Sequence, residues 1–314
     1  MQLISELQRS KNSSLIKAEA KRLGFYDCGF SKAGHLHEEE ARVEDWLSRG
    51  MHGEMSWLER NKEKRYNPEK LVNNAKSVIS VIYNYTPKQK LSAEDNYRIS
   101  CYAYGKDYHK VVKDKLFGLL GFIEKETGKR EARVFVDSAP VLDRAWAHRA
   151  GLGFIGKNTM LINREGGSWF FIGHIILDLK LEYESDQPEK NFCGSCTLCI
   201  KACPTDALEP FMLDARKCIS YLTIEHKTEI PEGFKGQFNN WIFGCDICQE
   251  VCPWNRDAIP HDDEEFDLSI DLMSMNKSSW SLLSRDRFND LFGKSAVKRS
   301  SYEGLKRNIR YIEE

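Results

Sequence analysis

Eight of the ten cysteines fall between residues 193 and 252. The first run reads Cys193-x2-Cys196-x2-Cys199-x3-Cys203-Pro204. The second reads Cys245-x2-Cys248-x3-Cys252-Pro253, with Cys218 standing between the two. Three thiolates at x2-x2 spacing wrap three corners of a compact four-iron cube. The chain then leaves along a helix, so its next cysteine points at a neighbouring cube. This assigns Cys193, Cys196, Cys199 and Cys252 to cluster 1, and Cys203, Cys218, Cys245 and Cys248 to cluster 2. Cys218 supplies the ligand that the shorter second run lacks. Paired Cys-x2-Cys also suits zinc, and structural thiols are the plainest reading of all. Three cysteines followed by x3-Cys-Pro, in two runs, nevertheless carry the spacing of a two-cluster electron-transfer unit.

The remaining composition sets the frame. A chain of 314 residues suggests about two domains. With 41% hydrophobic and 30% charged residues it has a sizeable core and a solvated surface, and its net charge of -1 favours no particular partner. No stretch is apolar enough to span a membrane. The N-terminus MQLISELQRSKNSS has neither an apolar h-region nor twin arginines. A cytoplasmic location is therefore expected, where thiols stay reduced and cysteines serve metals rather than disulfides.

Only Cys28 and Cys101 occur before residue 190, and this asymmetry divides the chain. Periodicity predicts an amphipathic helix over 3–23 stopped by Gly24, a strand at FYDCGF, and a helix over 37–49 stopped by Gly50. It then predicts a short helix at 69–76, a buried strand over 78–85, and a helix over 107–127 with Val112, Leu116, Leu119, Leu120 and Ile123 on one face. A strand follows at 132–137, then a helix from Pro140 to Ala150. A glycine-rich loop at 151–158 leads into a strand over 168–180. The polar segment 182–191 reads as a linker, and 293–310 is basic and helical in its second half. The expected class is α+β: an α/β domain at 1–181, a bacterial-type two-[4Fe-4S] ferredoxin domain at 182–260, and a short helical tail at 261–314.

A ferredoxin needs only the cysteine region, so the clusters are expected to serve a second site in the first domain. No G-x-G-x-x-G follows a strand and there is no P-loop. The sequences VDSAPVLDRAWAHRAGLGFIGKN (136–158), CISYLTIEHK (218–227) and GCDICQEVCPWN (244–255), together with the cluster runs, resemble the epoxyqueuosine reductase family over nearly the whole chain. The resemblance implies cobalamin beside two [4Fe-4S] clusters and a core similar to that of reductive dehalogenases. It implies reduction of epoxyqueuosine to queuosine at the tRNA wobble position, the last step of queuosine biosynthesis, through cob(I)alamin fed by the clusters. Cluster 1 is the favoured immediate donor.

In that light Asp137 matches the family's proton donor in V-D-S-A-P; from position alone it reads equally as a cap of the following helix. Asp107-Tyr108-His109 comes closest to a D-x-H-x-x-G cobalt-ligand motif, but Val112 stands where glycine belongs. His109 is therefore read as a packing or pocket residue, which agrees with the resemblance's implication of a cobalt without a protein ligand. Arg60, Tyr104, His109, Lys157, Asn158 and Ser220 are the candidate corrin contacts, Lys157-Asn158 first among them because a glycine-rich loop lets backbone approach a ligand closely. Each alone also reads as structural. Lys294, Lys298, Arg299, Lys306, Arg307 and Arg310 gather positive charge in the tail. Such a run attracts phosphates, or simply solvates a helix. The implied partners are tRNA carrying epoxyqueuosine in its anticodon and an external low-potential electron donor, with no membrane and a monomeric chain. Longer family members continue into helical repeats, a departure that leaves the size of the tRNA footprint open and not the chemistry. The rivals are a dehalogenase-like enzyme acting on a small molecule and a non-catalytic electron carrier or RNA-binding module.

Overall fold

The computed structural model describes residues 2–92, 94–183 and 190–314. The first half contains α1 (Gln2–Arg22), β1 (Asp27–Lys32), α2 (His37–Ser48), β2 (Ser77–Asn84), α3 (Tyr108–Thr127), β3 (Ala132–Phe135), α4 (Asp143–Arg149) and β4 (Phe170–Leu177). The strands form one antiparallel sheet in the order β1-β2-β4-β3. β2 and β4 pair along their whole length, from Ser77 with Leu177 to Asn84 with Phe170.

Both central strands are apolar on both faces, so the sheet must be covered twice. On one face Ile79, Val81, Ile175 and Leu177 meet Ile16 and Ala20 of α1 and Val112, Leu116, Leu119 and Ile123 of α3. On the other, Val78, Ile176 and Phe135 meet Leu36, Val141 and Trp146, while Ile82 and Phe170 meet Ala147 and Ala150. Two strand glycines set how closely the helices approach. A Cβ at Gly173 would stand 2.7 Å from Leu116 Cδ1, and one at Gly29 only 2.0 Å from the Ala150 carbonyl oxygen.

Local chemistry shifts several of the expected boundaries. Only Pro68–Lys70 turns helically, as a single 3₁₀ turn capped by the Asn67 side chain, where 69–76 was expected to be a helix. α4 begins at Asp143 rather than Pro140, because residues 136–141 are wound by consecutive two-residue bonds: Ser138 N to Val136 O, Ala139 N to Asp137 O and Val141 N to Ala139 O, each 2.7 Å. The glycine-rich loop is half of a small hairpin, with Phe154–Ile155 paired to Leu161–Ile162. Of the expected linker, 184–189 lie outside the described residues.

The tail is not a separate unit. Ala296, Val297, Leu305 and Ile309 share one core with Tyr97, Ile99, Ala103, Ile242 and Phe243. Trp241–Phe243 pairs in parallel with Arg98–Ile99, joining the cysteine region to the first half. Arg307 belongs to this joint rather than to a phosphate surface. It is buried in α6 (Ser301–Glu313) beside α5 (Ile219–Ile224). It donates to the carbonyls of Leu222, His226 and Thr228 at 2.9, 2.7 and 2.7 Å. Asn308 beside it donates to Thr223 O and Ile242 O, both at 2.8 Å.

Removing Arg307 would orphan three carbonyls. Arg307→Ala is expected to lower the unfolding free energy by about 2–4 kcal/mol, whereas Arg310→Ala, at an exposed position, should change it by less than about 0.5 kcal/mol. Urea unfolding of the cluster-loaded protein compares the two; equal effects would remove the structural role given to Arg307.

Candidate active site and cysteine centres

Asp137 leaves the end of β3 with a left-handed backbone, φ +54°. A non-glycine residue holds that conformation only where its surroundings fix it. Here Tyr108 Oη donates to Asp137 Oδ2, and His109 Nε2 lies 3.3 Å from the same oxygen. Asp137 caps nothing: α4 starts six residues later with Leu142 at its N-cap. Its side chain is 60% exposed. Arg144 is exposed too, feels the Asp137 charge, and donates from Nη1 to the Thr159 carbonyl.

Asp107 positions the partners. Its Oδ1 accepts from the His109 backbone N–H at 3.1 Å, capping α3, and stands 2.7 Å from His109 Nδ1. Its Oδ2 lies 3.1 Å from Lys298 Nζ, and its own N–H donates to Lys294 O at 2.7 Å. Both ring nitrogens of His109 thus face carboxylates. Burial pulls the His109 pKa down, but the bonds to Asp107 and Asp137 outweigh this and raise it to about 9. Burial pushes the Asp137 carboxyl up; the bonds from His109 and Tyr108 prevail and hold it below its ordinary value. His109 and Lys298 likewise hold Asp107 well below the carboxylate range. Tyr108 is fixed by stacking on Phe171, with ring centroids 4.4 Å apart and 2° between the planes. Asp143, enclosed beside His174 at 3.3 Å, is the exception: burial raises its carboxyl.

Cys199 and Cys252 each stand in the field of Cys193 and Cys196, and Cys252 also in that of Cys199. Cys245 stands in the field of Cys218 and Cys203, and Cys248 in that of Cys245, Cys218 and Cys199. Backbone N–H groups point at the thiols, from Lys157 at 3.4 Å to Cys193, from Ala207 at 3.3 Å to Cys203, and from Ser220 and Tyr221 to Cys218. Such donors stabilise the negative charge of cluster thiolates.

The other expected corrin contacts are placed differently. Lys157 Nζ donates to Gly194 O at 2.7 Å and Cys196 O at 2.9 Å, and Asn158 Nδ2 donates to Cys248 O at 3.3 Å. The glycine-rich loop therefore straps the two cysteine runs together. Tyr104 is buried in the shared core, its hydroxyl accepting from Leu91 N at 3.2 Å. Arg60 is exposed, and among the described residues nothing ties it to Asp137. Ser220 is half-buried beside Cys218. Only His109 of the six stands at Asp137.

Sequence reasoning missed Tyr102, Tyr108, Arg144 and the inward role of the tail. Arg299, read as a phosphate contact, pairs with Glu225, lies over the Trp57 ring at 5.5 Å and sits in the field of Asp137. Tyr102 packs edge-on against Tyr108 at 5.9 Å and against Phe243 at 6.0 Å. It feels both Asp137 and Asp246, which lies between Cys245 and Cys248. This contact path joins the segment that carries Cys245 and Cys248 to Asp137. The available signal was adjacency: Tyr108 lies inside the Asp-Tyr-His triplet already singled out.

Comparison with known proteins agrees with this geometry. The family model described as Epoxyqueuosine reductase QueG, DUF1730, matches residues 65–138, and a 4Fe-4S double cluster binding domain matches 192–255. An epoxyqueuosine reductase of Cellulophaga algicola is 52% identical, the match covering 97% of this chain and 99% of the relative. The crystal structure of an epoxyqueuosine reductase with a tRNA-Tyr epoxyqueuosine-modified stem loop superposes with a TM-score of 0.88 at 30% identity, over 96% of this chain and 80% of that one. A Bacillus subtilis epoxyqueuosine reductase, solved with its catalytic Asp loop swung out of the active site, gives 0.86 at 29%, over 96% and 81%.

A histidine whose folded pKa is raised from 6.5 to about 9 stabilises the fold fully below pH 6.5, and that contribution is lost as the pH climbs through 9. His109→Gln is therefore expected to flatten the fall of the melting temperature between pH 6.5 and 9. Parallel melting profiles for the variant and the wild type would contradict the bracketing of His109 by two carboxylates.

Proposed function

The chain belongs to the epoxyqueuosine reductase family, and on that premise we propose that it reduces epoxyqueuosine to queuosine at the wobble position of tRNA, as the last step of queuosine biosynthesis. The observation that carries this reading is Asp137, held exposed in a left-handed turn between Tyr108 and His109. Cys193, Cys196, Cys199 and Cys252 would hold cluster 1, and Cys203, Cys218, Cys245 and Cys248 cluster 2. Cobalamin would lie on the exposed side of Asp137, where His109, engaged at both ring nitrogens, would have no free nitrogen to offer a metal. Ser138 and Arg144, exposed on the Asp137 side, would meet corrin amides. When bound, the clusters supply single electrons and cobalamin a strongly reducing, nucleophilic centre.

The rest of the chemistry belongs to the chain. Reduction consumes two electrons and two protons and releases one water. Carboxylates only accept hydrogen bonds, so an imidazole facing two of them carries both of its protons. At neutral pH the mobile proton therefore rests on His109 Nε2, 3.3 Å from Asp137 Oδ2. Asp137 is the more exposed member of the pair. As the departing oxygen gains charge, the proton passes through Asp137 to that oxygen, and no free alkoxide is released. Asp107, kept ionised by Lys298, does not divert it. Asp137 and His109 titrate as a pair.

The tail divides its charge. Lys298 and Arg299, though exposed, are paired with Asp107 and Glu225, and Lys306 donates to Ser281 O at 2.5 Å. Lys294 and Arg310, exposed as well, are the better phosphate contacts. Among the described residues no helix is long and apolar enough to cross a membrane. The proposal includes an external low-potential electron donor, a single chain as the working unit, and a cytoplasmic setting.

The deciding assay is anaerobic. Reconstituted protein, a low-potential reductant and tRNA bearing epoxyqueuosine are incubated with and without cobalamin, and the digested nucleosides are weighed. Loss of one oxygen only with cobalamin is the expected result. Asp137→Asn should retain cluster absorbance and cobalamin uptake while turnover falls about 10²–10⁴-fold. Undiminished turnover would remove Asp137 from the proton path, and no mass change with both cofactors bound would overturn the reaction.

A further inference from the structure

The corner between β1 and α2 places two imidazoles and a carboxylate together. His35 and His37 alternate along the segment leading into α2, and His37 is the first residue of that helix. Positions two apart on extended chain share a side, and positions three apart on a helix are neighbours, which brings Glu40 to His37. One ligand atom from each of His35, His37 and Glu40 lies within 4.8 Å of the other two. His35 Nε2 stands 2.7 Å from Glu40 Oε2, and the His35 and His37 rings are 4.3 Å apart at 34°. Among the described residues no hydrogen bond occupies the His37 ring.

We propose that His35, His37 and Glu40 form a binding site for one divalent transition ion of the zinc class. Two neutral imidazole nitrogens and one carboxylate are a zinc donor set, and three protein ligands leave a fourth position open to water or a small anion. A cation here opposes the α2 dipole; Glu38 and Glu39, with Glu40 in the first turn, offset that cost. The site is separate from the cysteine centres and from Asp137 in ligand set and in sequence. Leu36 packs with Phe135, Val141 and Trp146, and Glu39 pairs with Arg149 of α4 at 3.5 Å. An ion would therefore pin the end of β1 to α2 behind the segment that carries Asp137.

The test is calorimetric titration of Zn²⁺ into cluster-loaded, metal-stripped protein. One site per chain is expected. Changing an outer-shell group alone costs about 10–100-fold in affinity, so His35→Gln combined with His37→Asn should weaken this site at least ~100-fold while cluster absorbance stays intact. X-ray absorption of the zinc-loaded wild type should show nitrogen and oxygen neighbours at about 2.0–2.1 Å. Unchanged affinity in the double variant, or sulfur neighbours at about 2.3 Å marking zinc in the cysteine centres, would overturn the proposal.

Discussion

The contacts of one carboxylate, Asp107, hold together three parts of the molecule that the sequence keeps far apart. One oxygen caps the long helix over the sheet and orients the His109 ring; the other takes Lys298 from the C-terminal segment. Its backbone N–H reaches Lys294 O. Without it the imidazole would have no fixed face toward Asp137, and the cation would have no anchor. A half-buried carboxylate is tolerated here because each oxygen is satisfied, one by imidazole and amide, the other by an ammonium.

The sheet explains why Asp137 is presented at all. Two central strands, apolar on both sides, demand helices on both faces, and the glycines at 29 and 173 let those helices approach closely. The strand edges then end in polar turns, and the turn after Phe135 is wound so tightly that the next helix starts late. The delay leaves the Asp137 side chain exposed beside Tyr108 and His109 instead of at a helix end.

Much of this was legible before any coordinates. The cysteine spacings pointed to the 4Fe-4S double cluster domain matched at 192–255, because the reach of a short turn around a cube is a local property. The helix at 108–127 and the strands at 77–84 and 170–177 followed from apolar periodicity, which is also local. What could not be read were the long-range partners. Lys157 and Asn158 looked like ligand contacts because glycines surround them, yet their side chains are spent on carbonyls of the cysteine runs. Tyr104 and Tyr102 are two residues apart and equally polar; only the packing decides that one is core and the other joins the cluster side to Tyr108. A charge run in the tail says nothing about which members turn inward, and Arg307 is the most buried of them.

The shared core between the tail and residues 97–104 has a consequence in time. Ser295 Oγ bonds the carbonyl of Ala103, 192 residues earlier in the chain. At about 5–20 residues per second, synthesis of that interval takes roughly 10–40 s. From the synthesis of Asp137 onward a nascent chain carries Asp107, His109 and Asp137 without Lys298 and Arg299, and its cysteine runs emerge before α6 can pack beside α5. The open interval falls between emergence of the last cysteine and arrival of the final helix, when iron and sulfide have their freest access to the thiols. The order of translation is thus also an order of assembly: thiols first, the closing helix after them.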